Sequence, residues 1–191
     1  MSDVENSKNP DALAATIKQV AKSENGLPPV HLWNPPLLGD LDMRIARGGD
    51  WFYQDSAITR PQLVKLFSSI LRYDDDGCYY LVTPVEKWRI EVEDAPFVAV
   101  LLNVIDVGEQ QILSFTTNIP NDVDADSENR IRMEFDPVTK EPKPYIHVRS
   151  GLEALISRNV FYDLVGMAEE GSVNGKKVFG VRSAGEFFPL E

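Results

Sequence analysis

The sequence predicts an α+β fold of two similar small units, each a helix wrapped by a curved antiparallel sheet, preceded by an N-terminal helix and a proline-rich arm. Three observations carry this expectation. The stretch Ile58-Thr-Arg-Pro-Gln-Leu-Val-Lys-Leu-Phe-Ser-Ser-Ile-Leu71 has a helix start, an apolar stripe and a stop that can all be read from its residues. Runs of alternating apolar and polar residues, separated by glycine turns, flank it. The same order of strand, turn, strand, capped helix and glycine turn then returns in the second half. The expected boundaries are 1–38 for the helix and arm, 39–95 for the first unit and 96–191 for the second.

Taken in order, Asp11 to Lys22 is expected to form a short helix with Leu13, Ile17 and Val20 on one side. Leu27-Pro-Pro-Val-His-Leu-Trp-Asn-Pro-Pro-Leu-Leu38 is a stiff, non-helical arm, because proline sets φ and biases its predecessor toward extended geometry. Trp33, Leu37 and Leu38 are expected to pin it to the body. Asp42 to Arg47 and Trp51 to Tyr53 read as a hairpin about Gly48-Gly49-Asp50.

The central helix is expected to begin at Thr59 or Arg60; Thr59 and Gln62 fit a capping box and Pro61 suits the first turn. Leu63, Leu66, Phe67, Ile70 and Leu71 form its inner stripe, and Asp74-Asp-Asp-Gly77 is its stop. Strands are expected at 78–83 and 86–92, then as a hairpin at 97–106 and 110–116. Residues 118–129 read as polar loop, and 130–135 with 144–148 as a further hairpin. Ser150-Gly-Leu-Glu153 is a second capping box, opening a helix with Leu152, Leu155, Ile156, Val160 and Leu164 inward and its end near Gly171. A strand at 176–182 closes the chain.

The echo aligns Arg44-Ile45 with Arg132-Met133, and Leu63 and Leu66 with Leu152 and Leu155. It also makes Arg60 and Arg149 equivalent, each just before a helix. Chance agreement among common apolar residues is the competing reading.

Composition narrows the class of function. The 191 residues are 43% hydrophobic and 9% aromatic, enough for a sizeable core, and carry a net charge of -11. Such a field repels phosphate backbones and anionic lipid, so neither nucleic acid nor a membrane surface is an expected partner. The acidic start lacks the basic-then-apolar order of a signal peptide, and the apolar run 97–105 is too short to span a bilayer. With the single cysteine, Cys78, this makes the cytoplasm the expected location.

Several segments together resemble the family of bacterial proteins known as domain of unknown function 1285. They are Gly39-Asp-Leu-Asp-Met-Arg-Ile45, Trp51-Phe-Tyr53, Ile58-Thr-Arg60, Leu63 to Leu71, Tyr80-Leu-Val-Thr-Pro-Val-Glu-Lys87, Val92-Glu-Asp-Ala-Pro-Phe97 and Val148 to Arg158. The resemblance implies two similar α+β units with a cleft between them and a signalling role. It brings no catalytic set.

No Gly-rich phosphate loop, Cys-x-x-Cys or nucleophile elbow is present, so no cofactor and no catalytic residues are expected. Asp122-Val-Asp-Ala-Asp126 starts like a calcium loop, but Ser127 and Met133 stand where Gly and Glu are needed, and no metal is expected. Asp40 and Asp42 share a strand face and could hold a cation, though capping a turn is commoner. Cys78 lies between an aspartate run and two tyrosines, which favours a structural thiol.

The candidate ligand-binding set is Arg44, Trp51, Tyr53, Arg60, Trp88, Tyr145 and Arg149. Arginines beside aromatics in so acidic a chain suit planar recognition of an anion or a peptide carboxylate. The competing reading pairs each with a local Asp or Glu. The expected function is a non-enzymatic module binding a small molecule or protein partner in the cleft between the units. A small hydrolase or transferase using Asp40 or Asp42 is the alternative, and a structural interaction protein, able to form oligomers, the third.

Overall fold

The computed structural model describes residue 15 and residues 26–108 and 110–191. The helix expected over 11–22 lies outside the described residues, save Ala15. The chain forms two compact units, Met1–Asp94 and Ala95–Glu191.

The first unit enters through a single 3-10 turn at Val30–Leu32. It then forms β1 (Leu37–Ile45), β2 (Trp51–Tyr53), β3 (Ser56–Ala57), α1 (Pro61–Ser69), β4 (Leu71–Tyr73), β5 (Tyr79–Val82) and β6 (Lys87–Val92). These strands make one sheet in the order β3-β2-β1-β6-β5-β4, in which β1 and β6 run parallel and every other neighbour antiparallel. Period-two alternation sends Leu41, Met43 and Ile45 of β1 and Trp88 and Ile90 of β6 into the core. α1 covers that side through Leu63 and Phe67, and the Phe67 ring stacks on Trp51 with centroids 6.2 Å apart.

The proline arm is tethered by polar contacts. Its Leu37 and Leu38 are exposed and already part of β1, whereas Arg72 of β4 donates to the carbonyls of Val30 (3.0 Å) and Trp33 (2.7 Å). Asp74 holds Arg72 in place by two hydrogen bonds, 2.5 and 3.0 Å, and also accepts from Lys87 at 3.0 Å. Burial works to raise the Asp74 carboxyl, and the Arg72 and Lys87 contacts more than reverse this, leaving it below its ordinary value. Beside it Tyr80 donates to Asp76 at 2.6 Å, which pushes the phenol up to about 12.

The second unit comprises β7 (Phe97–Val107), β8 (Gln110–Thr117), β9 (Asp122–Asp124), β10 (Ile131–Phe135), β11 (Pro142–Arg149), β12 (Leu152–Ile156) and α2 (Arg158–Gly166). β13 (Glu169–Val173), β14 (Lys176–Ser183) and β15 (Glu186–Pro189) follow as a separate three-stranded sheet. The larger sheet runs β10-β11-β12-β7-β8-β9, with β7 and β12 parallel. Both units therefore join two three-strand meanders through a parallel pair of their first and sixth strands.

The expected fold class does not hold. Each unit is mostly β with one short helix among its described residues, and neither helix is wrapped by its sheet. The second capping box is a hairpin turn. Ser150 (φ 46°) and Gly151 (φ 76°) lie in the left-handed region between β11 and β12, where a helix cannot start. Leu152, Ala154 and Ile156 are buried in alternation, the mark of a strand, and the helix begins only after Ser157. The residue matches of the echo fail with it, since Leu63 is helical and Leu152 is not.

Smaller differences have similar causes. Of the two expected starts Arg60 caps α1, and the Thr59 capping box does not form, since no side chain makes a cap bond there. Leu71 opens β4, and Asp74–Gly77 turns β4 into β5 with Gly77 at φ 77°. The loop 118–129 contains β9, and the segment expected to end the second helix is β13.

Two outcomes follow from this packing. A Cβ at Gly180 of β14 would overlap the carbonyl oxygen of Phe188, and the Phe187 ring lies across both Gly180 and Gly171. Gly180→Ala should therefore destabilise the protein by about 1–3 kcal/mol in urea unfolding. Because the Asp74 carboxyl is lowered on folding, its contribution is full above its ordinary 3.8 and is lost as the pH falls through the lower folded value. Asp74→Asn should flatten the acid limb of a melting temperature–pH profile, while the wild type falls steeply there.

Candidate functional site

The residues of β1 and β6 that do not face the core make the outer face of the first sheet, and there they bound a groove of about 500 Å³. Asp40, Arg44, Phe52, Cys78, Arg89 and Glu91 line it. Arg44 sits opposite Phe52 across β1 and β2, with its guanidinium 4.5 Å from the ring centroid. The same guanidinium pairs with Glu93. Arg89 sits opposite Asp40 across the parallel β1–β6 pair and bonds both its oxygens, at 2.5 and 2.9 Å.

These pairs set the electrostatics. The hydrogen bond from Arg89 holds the Asp40 carboxyl below its ordinary value. Glu93 is lowered chiefly by the Arg47 amide, 3.0 Å away, and further by Arg44. Both guanidiniums of the groove are thus held by carboxylates, and the surface they offer is of mixed charge. A carboxyl held below its ordinary value is the reverse of what a general acid needs. The aromatic ring beneath Arg44 adds an apolar floor.

The expected site residues separate into two groups by unit. Arg44, Trp51, Tyr53, Arg60 and Trp88 belong to the first; Tyr145 and Arg149 to the second. Of the first group, Arg44 alone lines the groove. Trp51 and Trp88 are core residues, 2% and 1% exposed, and neither indole N–H has a hydrogen-bond partner among the described residues. Burying such a ring removes roughly 150–250 Å² from water, worth about 4–6 kcal/mol, which outweighs the ~1–3 kcal/mol of an orphaned donor.

Tyr53 is half-buried, and burial followed by the Asp42 charge raises its phenol. Arg60 is exposed at the start of α1. In the second unit Tyr145 is buried beneath Arg132, whose guanidinium lies 4.3 Å from its centroid and bonds Glu153 at 2.6 and 2.5 Å. Arg149 lies 5.0 Å from the Phe97 centroid, and burial lowers its pKa.

Phe52, Arg89 and Glu91 are the groove residues that reading along the chain passes over. A signal for Phe52 was present, since alternation puts it opposite in facing to the buried Trp51. Arg89 is brought to Asp40 by a parallel pairing between segments far apart in sequence, for which no local signal exists. The acidic motifs hold the local fold: Asp126 accepts from the backbone amides of Glu128 (2.8 Å) and Asn129 (2.7 Å), and Asp122 accepts from the side-chain hydroxyl of Thr116 (2.6 Å). Cys78 is half-buried at the groove, its amide donating to Asp76 at 3.0 Å.

Comparison with known families divides the chain within one residue of the boundary between its two compact units. Residues 28–95 match the family described as domain of unknown function DUF1285, N-terminal domain. Residues 96–190 match the C-terminal domain of the same family. The chain belongs to the DUF1285 family. A crystal structure of a DUF1285 protein from Silicibacter pomeroyi DSS-3 is 52% identical, over 95% of this chain and 94% of that one, with a TM-score of 0.83. A second DUF1285 crystal structure, from Shewanella baltica OS155, is 29% identical over 65% of this chain and 91% of that one, with a TM-score of 0.51. No curated protein matches the chain. Among the described residues of this DUF1285 protein no helix is long and apolar enough to cross a membrane.

The split between core and groove can be measured. Trp51→Ala should cost about 3–5 kcal/mol in chemical denaturation, the range for a large aromatic lost from a packed core.

Proposed function

We propose that this DUF1285 protein is a non-enzymatic binding module that relays a signal, taking a small polar ligand or a peptide segment of a partner protein on the outer face of its first sheet. The observation that carries the reading is the Arg44–Phe52 pair at the groove. A planar cation held over a ring and paired with a carboxylate loses little freedom on binding, and so favours recognition at low entropic cost. The mixed charge around it suits a ligand bearing both donors and acceptors. The signalling role is the one that the family resemblance implies.

A thermal-shift screen of the whole chain against amino acids, dipeptides, nucleotides and dicarboxylates tests this. A ligand of the groove raises the melting temperature of the wild type by mass action. The shift should be lost in Phe52→Ala and in Arg44→Gln, each with its own unliganded melting temperature as baseline. A hit whose shift survives both substitutions would place binding elsewhere and overturn the proposal.

A further inference from the structure

Among the described residues, four two-residue turns join antiparallel strands with both of their residues in the left-handed region. They are Gln54-Asp55 (φ 47° and 59°), Ser150-Gly151 (46° and 76°), Asn174-Gly175 (51° and 77°) and Ala184-Gly185 (49° and 81°). Two positive φ values in succession make the type I′ turn, which matches the twist of a hairpin and favours glycine because a Cβ is crowded there. The other three turns place glycine second. Gln54-Asp55 has none, and glutamine lacks the short side chain by which Asn or Asp offsets the cost.

This strain is held from both sides. The amide of Gln54 donates to the carbonyl of Asp42 in β1 at 3.0 Å, and the amide of Ile58 to that of Trp51 at 2.8 Å. Tyr53 and Ser56 pair across the turn. The turn therefore cannot relax without undoing the β2–β3 hairpin.

Its place sets it apart. Gln54 and Asp55 line the groove on the outer face of the first sheet, and both are exposed. Among the described residues neither side chain makes a hydrogen bond or an ion pair. Glycine would serve the turn better, so the two side chains answer to the groove and not to the hairpin.

Their chemistry selects what fits. Asp55 offers a carboxylate, which only accepts, and Gln54 a carboxamide, which donates and accepts at once. The guanidiniums of the groove, Arg44 and Arg89, are engaged by Glu93 and Asp40, so an anion would have to displace a carboxylate already in place. A cation meets no such competitor at Asp55.

Resting on the reading of the groove as a binding site, we propose that Gln54 and Asp55 are its specificity residues. Asp55 accepts from an ammonium group and Gln54 pairs with an adjoining amide, the two groups that stand together at the amino end of a peptide.

Alanyl-alanine amide carries both groups, whereas acetyl-alanyl-alanine has its amine blocked and ends in a carboxylate. In isothermal titration calorimetry of the whole chain the first should bind, and the second at least about tenfold more weakly. Without ligand, Gln54→Gly and Asp55→Gly should each raise the melting temperature by about 2–4 °C, because the turn is relieved. Each should nonetheless weaken the binding of alanyl-alanine amide about ten- to hundredfold. Asp55→Asn, which tolerates the same φ and removes only the charge, should keep the wild-type melting temperature and lose binding to a similar degree. Glycine variants that melt no higher than the wild type would overturn the inference, as would a wild type that binds acetyl-alanyl-alanine equally well. Binding that is lost in Phe52→Ala but survives in Gln54→Gly and Asp55→Gly would overturn it and leave the groove as the binding site. Survival in all three variants would overturn both readings. A wild type that binds neither dipeptide would overturn this inference alone, since the groove is tested by the wider screen.

Discussion

Each unit is held together by one parallel strand pair. β1 and β6 in the first unit, and β7 and β12 in the second, are the first and last strands of two three-strand meanders. Antiparallel neighbours can form locally through short turns, but a parallel pair must wait for the whole intervening chain to return. Until it does, each meander is a three-strand ribbon with one side of its apolar residues uncovered. The seam therefore converts two marginal ribbons into one sheet able to bury Trp51 and Trp88, or Phe115 and Ile146, behind it.

The groove follows from the same seam. Pairing Asp40 with Arg89 across it, and Arg44 with Phe52 across the adjoining antiparallel pair, places residues from three strands on one outer face. A register slip of one position would turn Leu41 and Met43 outward and carry the groove residues into the core. Core burial thus fixes the register, and the register places the site. The polar hub around Asp74 has a different task, since it bonds the incoming arm to β4 where the exposed Leu37 and Leu38 provide no apolar anchor.

The two units share strand order while placing their helices differently: α1 lies between the meanders and α2 after the second one. This explains why the internal echo misleads at the residue level. Ser150-Gly-Leu-Glu153 and Thr59-Arg-Pro-Gln62 both spell a capping box, yet one is a hairpin turn and in the other Arg60 stands at the cap. A capping-box pattern is neither necessary nor sufficient for a helix start: both helices begin without a side-chain cap bond, and the same small and acidic residues also suit turns. Leu152, Ala154 and Ile156 carried the decisive signal, an alternation of two that leaves no helical stripe.

Local pattern by itself determined the α1 segment, most strands and hairpins, the acidic surface and the family. Each of these rests on contacts within a few residues or on composition. Only the tertiary structure decided which strands run parallel, that the fold is mostly β, and that Trp51 and Trp88 are core while Phe52 and Arg89 face the groove. The physical reason is that a strand looks the same from either face until its neighbour is known. The parallel neighbours here lie some forty or more positions away, beyond the reach of any local periodicity.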